Sequence, residues 1–261
     1  MNIKDTVAVV TGGGNGIGAA LCERFSQIGL AGLAVLDLDG EAANRVADKC
    51  GGRGFEVDVT DESSLAQAIQ QTEEQYGRVD IVVSNAGIGF ADGSEGWATS
   101  CPNDRWQEIW EVNVMAHVYA ARAALPGMIE RGQGYFLHTV SAAGLLSQIG
   151  SASYATTKHA AIGFAESLAI THGDDGIVVS VLCPQGVDTK LLRDSERHGP
   201  GPQSLDGVLS TEVVADCVVR GMEKEEFLIL PHPQALEYYR HKAQDYDRWL
   251  SGMRRLRTKF L

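Results

Sequence analysis

Tyr154 and Lys158 stand four residues apart in SASYATTKHAAIGF, and Ser141 lies thirteen residues before the tyrosine, just after an apolar, strand-like run. Positions i and i+4 of a helix share one face, so this spacing aims a phenol and an ammonium from one surface while a strand end supplies a hydroxyl. Such a set can move a proton. A free phenol, with a pKa of about 10, is a poor base at neutral pH, and a neighbouring cation favours its anion. A Tyr-x-x-x-Lys pair also arises by chance, so its weight comes from what precedes it.

The segment VAVVTGGGNGIGAALCERF opens with the β-branched run Val7 to Val10, turns at Thr11 and Gly12, and begins a helix near Gly16. Glycines at 12, 16 and 18 let the backbone approach a pyrophosphate, and the helix start offers free N–H donors and a positive dipole end. A lone glycine turn is often nothing more than a tight turn. Here the apolar run Leu33 to Leu36 ends at Asp37, nineteen residues after Gly18. In a dinucleotide-binding unit, that is where a carboxylate meets the adenosine ribose hydroxyls.

The order Thr11-Gly12-x-x-x-Gly16-x-Gly18, then Asn85-Ala86-Gly87, Asn113, Ser141, Tyr154 and Lys158, resembles the short-chain dehydrogenase/reductase family. The likeness implies a nicotinamide-dependent oxidoreductase on a Rossmann fold, with Asn113, Ser141, Tyr154 and Lys158 as its catalytic set. Tyr154 is then the general acid/base, Ser141 holds the substrate oxygen, and Lys158 favours the phenolate while donating to the nicotinamide ribose. Asn113 matches the asparagine that kinks the long helix and holds a water leading from the lysine to solvent. The likeness also places the cofactor against Gly12, Asn15, Gly16, Ile17 and Gly18, and against Asp37 and Leu38 at the ribose. Asp58 and Val59 fall beside the adenine, with a solvated strand-end aspartate as the alternative reading of Asp58. Asn85, Ala86 and Gly87, together with Tyr154, Lys158, Pro184, Val187 and Thr189, complete the cofactor set, with Thr189 at the carboxamide. Because Asp37 opposes a 2′-phosphate and no Lys or Arg stands at 38 to 40, the expected cofactor is NAD rather than NADP.

Two positions depart from the family pattern. Val140 replaces its usual second strand-end serine, and Pro184-Gln185 replaces Pro-Gly. Gln185 either lines the reaction pocket or faces solvent.

The elements that must position these residues alternate along the chain. After Asp37, a helix near 40 to 49, a strand at Phe55 to Val57, a helix from Asp61 to Tyr76 capped by Thr60, and the buried strand VDIVVSNAG follow in turn. A loop over 86 to 103 leads to a long helix from about Asp104 to Glu130, in which Pro126 should bend or end the ladder. Strands at Tyr135 to Val140, Ile177 to Leu182 and Phe227 to Leu230 complete an α/β doubly wound Rossmann sheet of about seven parallel strands with helices on both faces. Gly12, Asp37, Asp58, Asn85, Ser141 and Pro184 all fall at carboxyl ends of strands, where ligands of such sheets bind.

At 261 residues, with 44% apolar residues and 30 glycines, the chain reads as one α/β domain over 1–261. The net charge of −12 argues against nucleic acid or an anionic membrane as a partner. MNIKDT leads directly into the first strand and no run reaches membrane-spanning length, so the expected location is cytoplasmic. Five scattered cysteines suggest neither disulfides nor a metal site, and His117, His138 and His159 read as dispersed structural residues. Residues 190–210 read as a substrate lid, and 233–261 as a helical extension that carries seven Lys or Arg from Arg240 onward. In it, Trp249, Leu250 and Met253 could dock on the body or on a partner subunit. Ala142, Ala143, Leu145, Leu146, Leu191 and Leu192 offer apolar pocket surface, so the expected substrate is a mainly apolar secondary alcohol or its ketone. The family likeness adds a homotetramer. A non-redox epimerase or dehydratase on the same scaffold, or a cofactor-binding regulatory protein, are the alternatives that the intact Ser141, Tyr154 and Lys158 set disfavours.

Overall fold

The computed structural model describes residues 1–195 and 201–260. Seven strands form one sheet: β1 (Val7–Thr11), β2 (Gly32–Asp37), β3 (Arg53–Glu56), β4 (Ile81–Ser84), β5 (Gly134–Thr139), β6 (Ile177–Leu182) and β7 (Leu228–Ile229). Their spatial order is β3-β2-β1-β4-β5-β6-β7, every pairing is parallel, and the order reverses between β1 and β4. This is the doubly wound arrangement the alternation implies, and its crevice lies beyond the ends of β1 and β4.

The central strands VAVVT and IVVS are buried throughout because helices cover both faces. Alternate side chains of β1 divide between two cores. Val7 and Val9 pack with Val82 and Phe136 under α3 (Glu62–Tyr76), α5 (Ala116–Arg131) and α6 (Ala152–His172). Ala8 and Val10 pack with Val35 and Leu137 under α1 (Gly16–Ile28), α2 (Gly40–Cys50) and α8 (Thr211–Glu223). The residues that must act therefore hang from the rims of fully buried strands.

Two expectations needed correction. Asp61, not Thr60, caps α3: its Oδ1 accepts from the Ser63 and Ser64 amides at 2.9 and 3.3 Å, while the Thr60 hydroxyl donates to Asp58 Oδ1 at 2.7 Å. A carboxylate is the stronger acceptor at a positive helix end. The long helix neither bends nor ends at Pro126, and its irregularity lies at Asn113, where the family likeness puts a kink: α4 (Asn103–Trp110) passes through a widened π turn at Glu111–Met115 into α5, which runs through Pro126 to Arg131. The buried face of Ala120, Ala121, Ala124 and Met128 keeps α5 on the sheet across the proline's missing donor. The C-terminal extension is two helices, α9 (Gln234–Gln244) and α10 (Tyr246–Phe260), with Asp245 Oδ1 accepting from the Arg248 amide at 2.9 Å where they part. Of the expected lid, α7 (Lys190–Ser195) and a 3₁₀ turn at Pro202–Ser204 are described, and residues 196–200 lie outside the described residues. Among the described residues no helix is long and apolar enough to cross a membrane.

Candidate active site

At the switch point the glycine turn and the end of β4 are stitched together. The Asn85 side-chain amide donates to Thr11 O and Gly12 O at 3.0 and 3.1 Å, and the Thr11 hydroxyl accepts from the Asn85 and Ala86 amides at 2.9 and 3.1 Å. Gly12 has φ +60, and a Cβ there would lie 2.9 Å from Ala86 Cα; a Cβ on Gly18 would lie 2.2 Å from Gly12 O. Both contacts exclude a side chain, so strand, turn and helix meet closer than alanine would permit. Asn15 is extended at the start of α1 and makes no side-chain cap, and the first turn carries no acidic residue. The opening amides of a 13-residue helix thus have no capping group of their own, which suits a pyrophosphate.

Asp37 is held in place before any ligand arrives. Its Oδ2 accepts from the Gly14 amide at 2.9 Å and its Oδ1 from the Asp39 amide at 3.1 Å, leaving further lone pairs for hydroxyl donors. Leu38 beside it is 70% exposed, open to cover an adenosine. Asp58 is exposed with Oδ1 turned to Thr60, and Val59 is buried. On the far side Thr189 overhangs the helix start, its Cγ2 3.3 Å from where a Gly16 Cβ would stand. Val187 is buried, and Pro184 O accepts from the Ala142 amide at 2.8 Å, joining the loop after β6 to the Ser141 turn. The glycine-turn amides, a fixed carboxylate and an overhanging threonine together fit a dinucleotide.

Asn113 is fully buried and clamps the loop after β4: Oδ1 accepts from the Ile88 amide at 3.0 Å, while Nδ2 donates to Ile88 O at 2.9 Å and to Thr157 Oγ1 at 3.2 Å. The π turn places that amide where it reaches both the loop and α6, which accounts for a kink at Asn113. Gly87 is enclosed by the same groups, its Cβ position 3.4 Å from Asn113 Oδ1 and 3.5 Å from Lys158 Nζ. Lys158, 3% exposed, donates to Thr139 O at 3.2 Å, and its Nζ lies 5.5 Å from the Tyr154 ring centroid. Ser141 Oγ accepts from the Ala143 amide at 3.1 Å. Asn113, Ser141, Tyr154 and Lys158 are therefore gathered around the ends of β4 and β5.

Burial drives the electrostatics. It lowers the Lys158 pKa from 10.5 to about 8. It raises that of Tyr154, against the opposing pull of the Ser141 hydroxyl. The lysine therefore loses its proton before the tyrosine does, so without cofactor no ammonium remains to hold a phenolate. Cys183, buried nearby, is pushed up to about 12 by desolvation and stays a thiol.

The substrate side is less apolar than the sequence suggests. Leu145 belongs to the core under α5 and α6, with Leu146 packed against it, and Ala142 and Ala143 are buried. Leu191 does reach the site: its Cδ1 and Tyr154 Cδ2 lie 3.6 and 3.3 Å from the position of a Gly89 Cβ. Lys190 and Arg193, the nearby cations, are paired with Asp194 and Asp188. Gln185 is tied down between elements: its amide donates to His232 Nδ1 at 3.1 Å and its side chain to Asp206 Oδ2 at 2.8 Å, with Tyr238 OH donating to the other Asp206 oxygen at 3.1 Å. Gly14, Ile88 and Thr157 are positioning residues that spacing did not single out, since each acts through a backbone or side-chain partner far along the chain. His117 and His138 are also not dispersed: their Nδ1 atoms face each other at 2.8 Å in the core.

The family model described as short chain dehydrogenase matches residues 6–199. The chain is 35% identical over 257 residues to 1-deoxy-11-beta-hydroxypentalenate dehydrogenase of Streptomyces exfoliatus, covering 96% of this chain and 92% of that one. It is 31% identical to meso-2,3-butanediol dehydrogenase of Serratia marcescens over 73% of this chain and 75% of that one. A short-chain dehydrogenase/reductase from Burkholderia phymatum, solved in complex with NAD, superposes with a TM-score of 0.83 at 26% identity, covering 95% and 96% of the two chains. With a stitched glycine turn at the switch point and a Tyr-x-x-x-Lys helix beside it, this chain belongs to the short-chain dehydrogenase/reductase family of oxidoreductases.

Proposed function

We propose that the protein transfers a hydride between NAD(H) and a mainly apolar secondary alcohol or ketone, with Tyr154 as general acid/base. The observation that carries this reading is the convergence of Asn113, Ser141, Tyr154 and Lys158 beyond the ends of β4 and β5, beside the Gly12 to Gly18 turn. Bound nicotinamide supplies the hydride acceptor or donor. Ser141 Oγ holds the substrate oxygen and Tyr154 Oη takes the alcohol proton as the carbon–hydrogen bond breaks; in reduction the same proton returns. Lys158 donates toward the ribose hydroxyls, and those acceptors favour its charged form, restoring the cation that the phenolate needs. Asn113 keeps the helix open for a water between Lys158 and solvent.

Gly12, Asn15, Gly16, Ile17 and Gly18 take the pyrophosphate, Asp37 and Leu38 the adenosine ribose, and Asp58 and Val59 the adenine. Asn85, Ala86, Gly87, Pro184, Val187 and Thr189 hold the nicotinamide half. NAD is favoured over NADP by Asp37, whose fixed carboxylate repels a 2′-phosphate with no Lys or Arg at 38 to 40 to offset it. The apolar character of the substrate rests on Leu191 beside Tyr154 and on the neutralised Lys190 and Arg193. The reading extends to one catalytic domain over 1–261 that works as a cytoplasmic homotetramer, which sedimentation and cell fractionation would check. Tyr154→Phe tests the chemistry: turnover should fall at least about 10³-fold with NAD affinity within about threefold of normal. Retained turnover would refute the proton-transfer role.

A further inference from the structure

Lys242 is the buried cation that the hydride-transfer reading does not use. It is 6% exposed, donates to Leu145 O at 2.6 Å, and lies 3.3 Å from His159 Nε2, 5.0 Å from the Trp249 ring centroid and 5.5 Å from that of Tyr246. It sits in the wall of a cavity of about 400 Å³ between α6 and α10, whose apolar sides include Trp249, Leu250 and Met253 and whose rim carries Arg254 and Arg257. No carboxylate pairs with Lys242, Arg254 or Arg257 among the described residues; the two arginines donate to Ser251 Oγ and Gly96 O. A chain of net charge −12 thus turns three uncompensated cations onto one aromatic-walled cavity. His159 beside them has its pKa lowered, first by burial and also by Lys242. Burying an ammonium without a counter-ion is costly, and an anionic guest would relieve it.

We propose that this cavity binds the carboxylate of an amphipathic organic acid, head to Lys242 and Arg254 or Arg257, apolar body along Trp249, Leu250 and Met253. The volume is that of a small-molecule site. His159 lies five residues beyond Tyr154 on α6, about 7.5 Å along the helix and about 140° around it, so the acid is a separate effector unless the substrate is long enough to pass around α6. The proposal does not depend on the chemistry assigned to Tyr154, because binding can be read without turnover.

The probe is dodecanoate below its aggregation limit, followed by tryptophan fluorescence of the full-length protein, with dodecanol as the uncharged control. Saturable quenching by dodecanoate that is lost in Trp249→Phe, weakened about tenfold or more in Lys242→Met, and several-fold in the exposed double variant Arg254→Gln/Arg257→Gln is expected. Equal affinity for dodecanol and dodecanoate, no quenching, or unchanged affinity in both cation variants would overturn it. So would a change in oligomeric state of the double variant without acid binding, which would assign the face to a second copy of the chain. With acid binding established, dodecanoate that competes with the alcohol substrate marks the cavity as the substrate's distal end, and dodecanoate that binds without competing marks an effector site.

Discussion

Lys158→Met separates what the active site needs from what the fold needs. The folded-state pKa of Lys158 is held at about 8 against 10.5, first by desolvation. At about 1.4 kcal/mol per pKa step, keeping the ammonium buried costs the cofactor-free protein about 3 kcal/mol near pH 7. Methionine has a similar stem and no charge, so it removes that cost. It also forfeits the amine's bond to Thr139 O, worth about 1 kcal/mol. The net expectation is a variant more stable than the parent by about 2 kcal/mol near pH 7, although its turnover is nearly lost.

The sign with pH follows from proton counts. Between about 8 and 10.5 the unfolded chain keeps the lysine proton that the folded chain has released, so the parent gains stability as pH rises through that window. Near pH 9.5 its remaining cost is about 1 kcal/mol, close to the value of the lost hydrogen bond, so the two proteins should then unfold together. Urea unfolding of both cofactor-free proteins at equal concentration, at these two pH values, measures the difference. A variant less stable than the parent near neutral pH, or an advantage that does not shrink as pH rises, would mean that desolvation does not dominate at Lys158.

Asp37→Ala should weaken NAD use and narrow the preference over NADP; equal efficiency of the unmodified protein with both cofactors would remove the argument. The dissociation constant for NAD should rise as pH passes about 8, because Lys158 loses a donor there, and a flat titration across that range would contradict its contact with the ribose. Catalytic efficiency should climb up to about tenfold for every few buried carbons added to a secondary alcohol, until Leu191 and its neighbours are covered. Preference for phosphate esters over hydrophobic ketones would oppose this.

What the sequence made readable is what one stretch of chain settles by itself. The Gly12 turn is local, because a strand, a glycine cluster and a helix follow one another without gaps, and the i, i+4 spacing of Tyr154 and Lys158 is local to one helix. Residue type cannot choose the α3 cap between Thr60 and Asp61, two neighbouring acceptors, and only the geometry shows Asp61 on the Ser63 and Ser64 amides. The break in the long helix is legible at Asn113 through the family likeness, not through residue type. Pro126 is the visible breaker, yet a missing donor on a helix pressed against a sheet is tolerated, whereas Asn113 must reach Ile88, 25 residues back, and Thr157, 44 residues on. The π turn lets one amide meet both, and nothing in EVNVMA announces those partners. The same limit hid the facing imidazoles of His117 and His138, and Lys242 against His159, 83 residues apart. It also reversed the reading of Leu145, whose apolar character suits a pocket or a core equally well until α5 and α6 close over it. Residue type therefore located the proton-transfer groups, but contacts across the sheet decide which side chains remain free to meet a substrate. Of the apolar residues expected around the pocket, Leu191 stands on a helix outside the sheet's packed layers, and its side chain meets that of Tyr154 at Gly89.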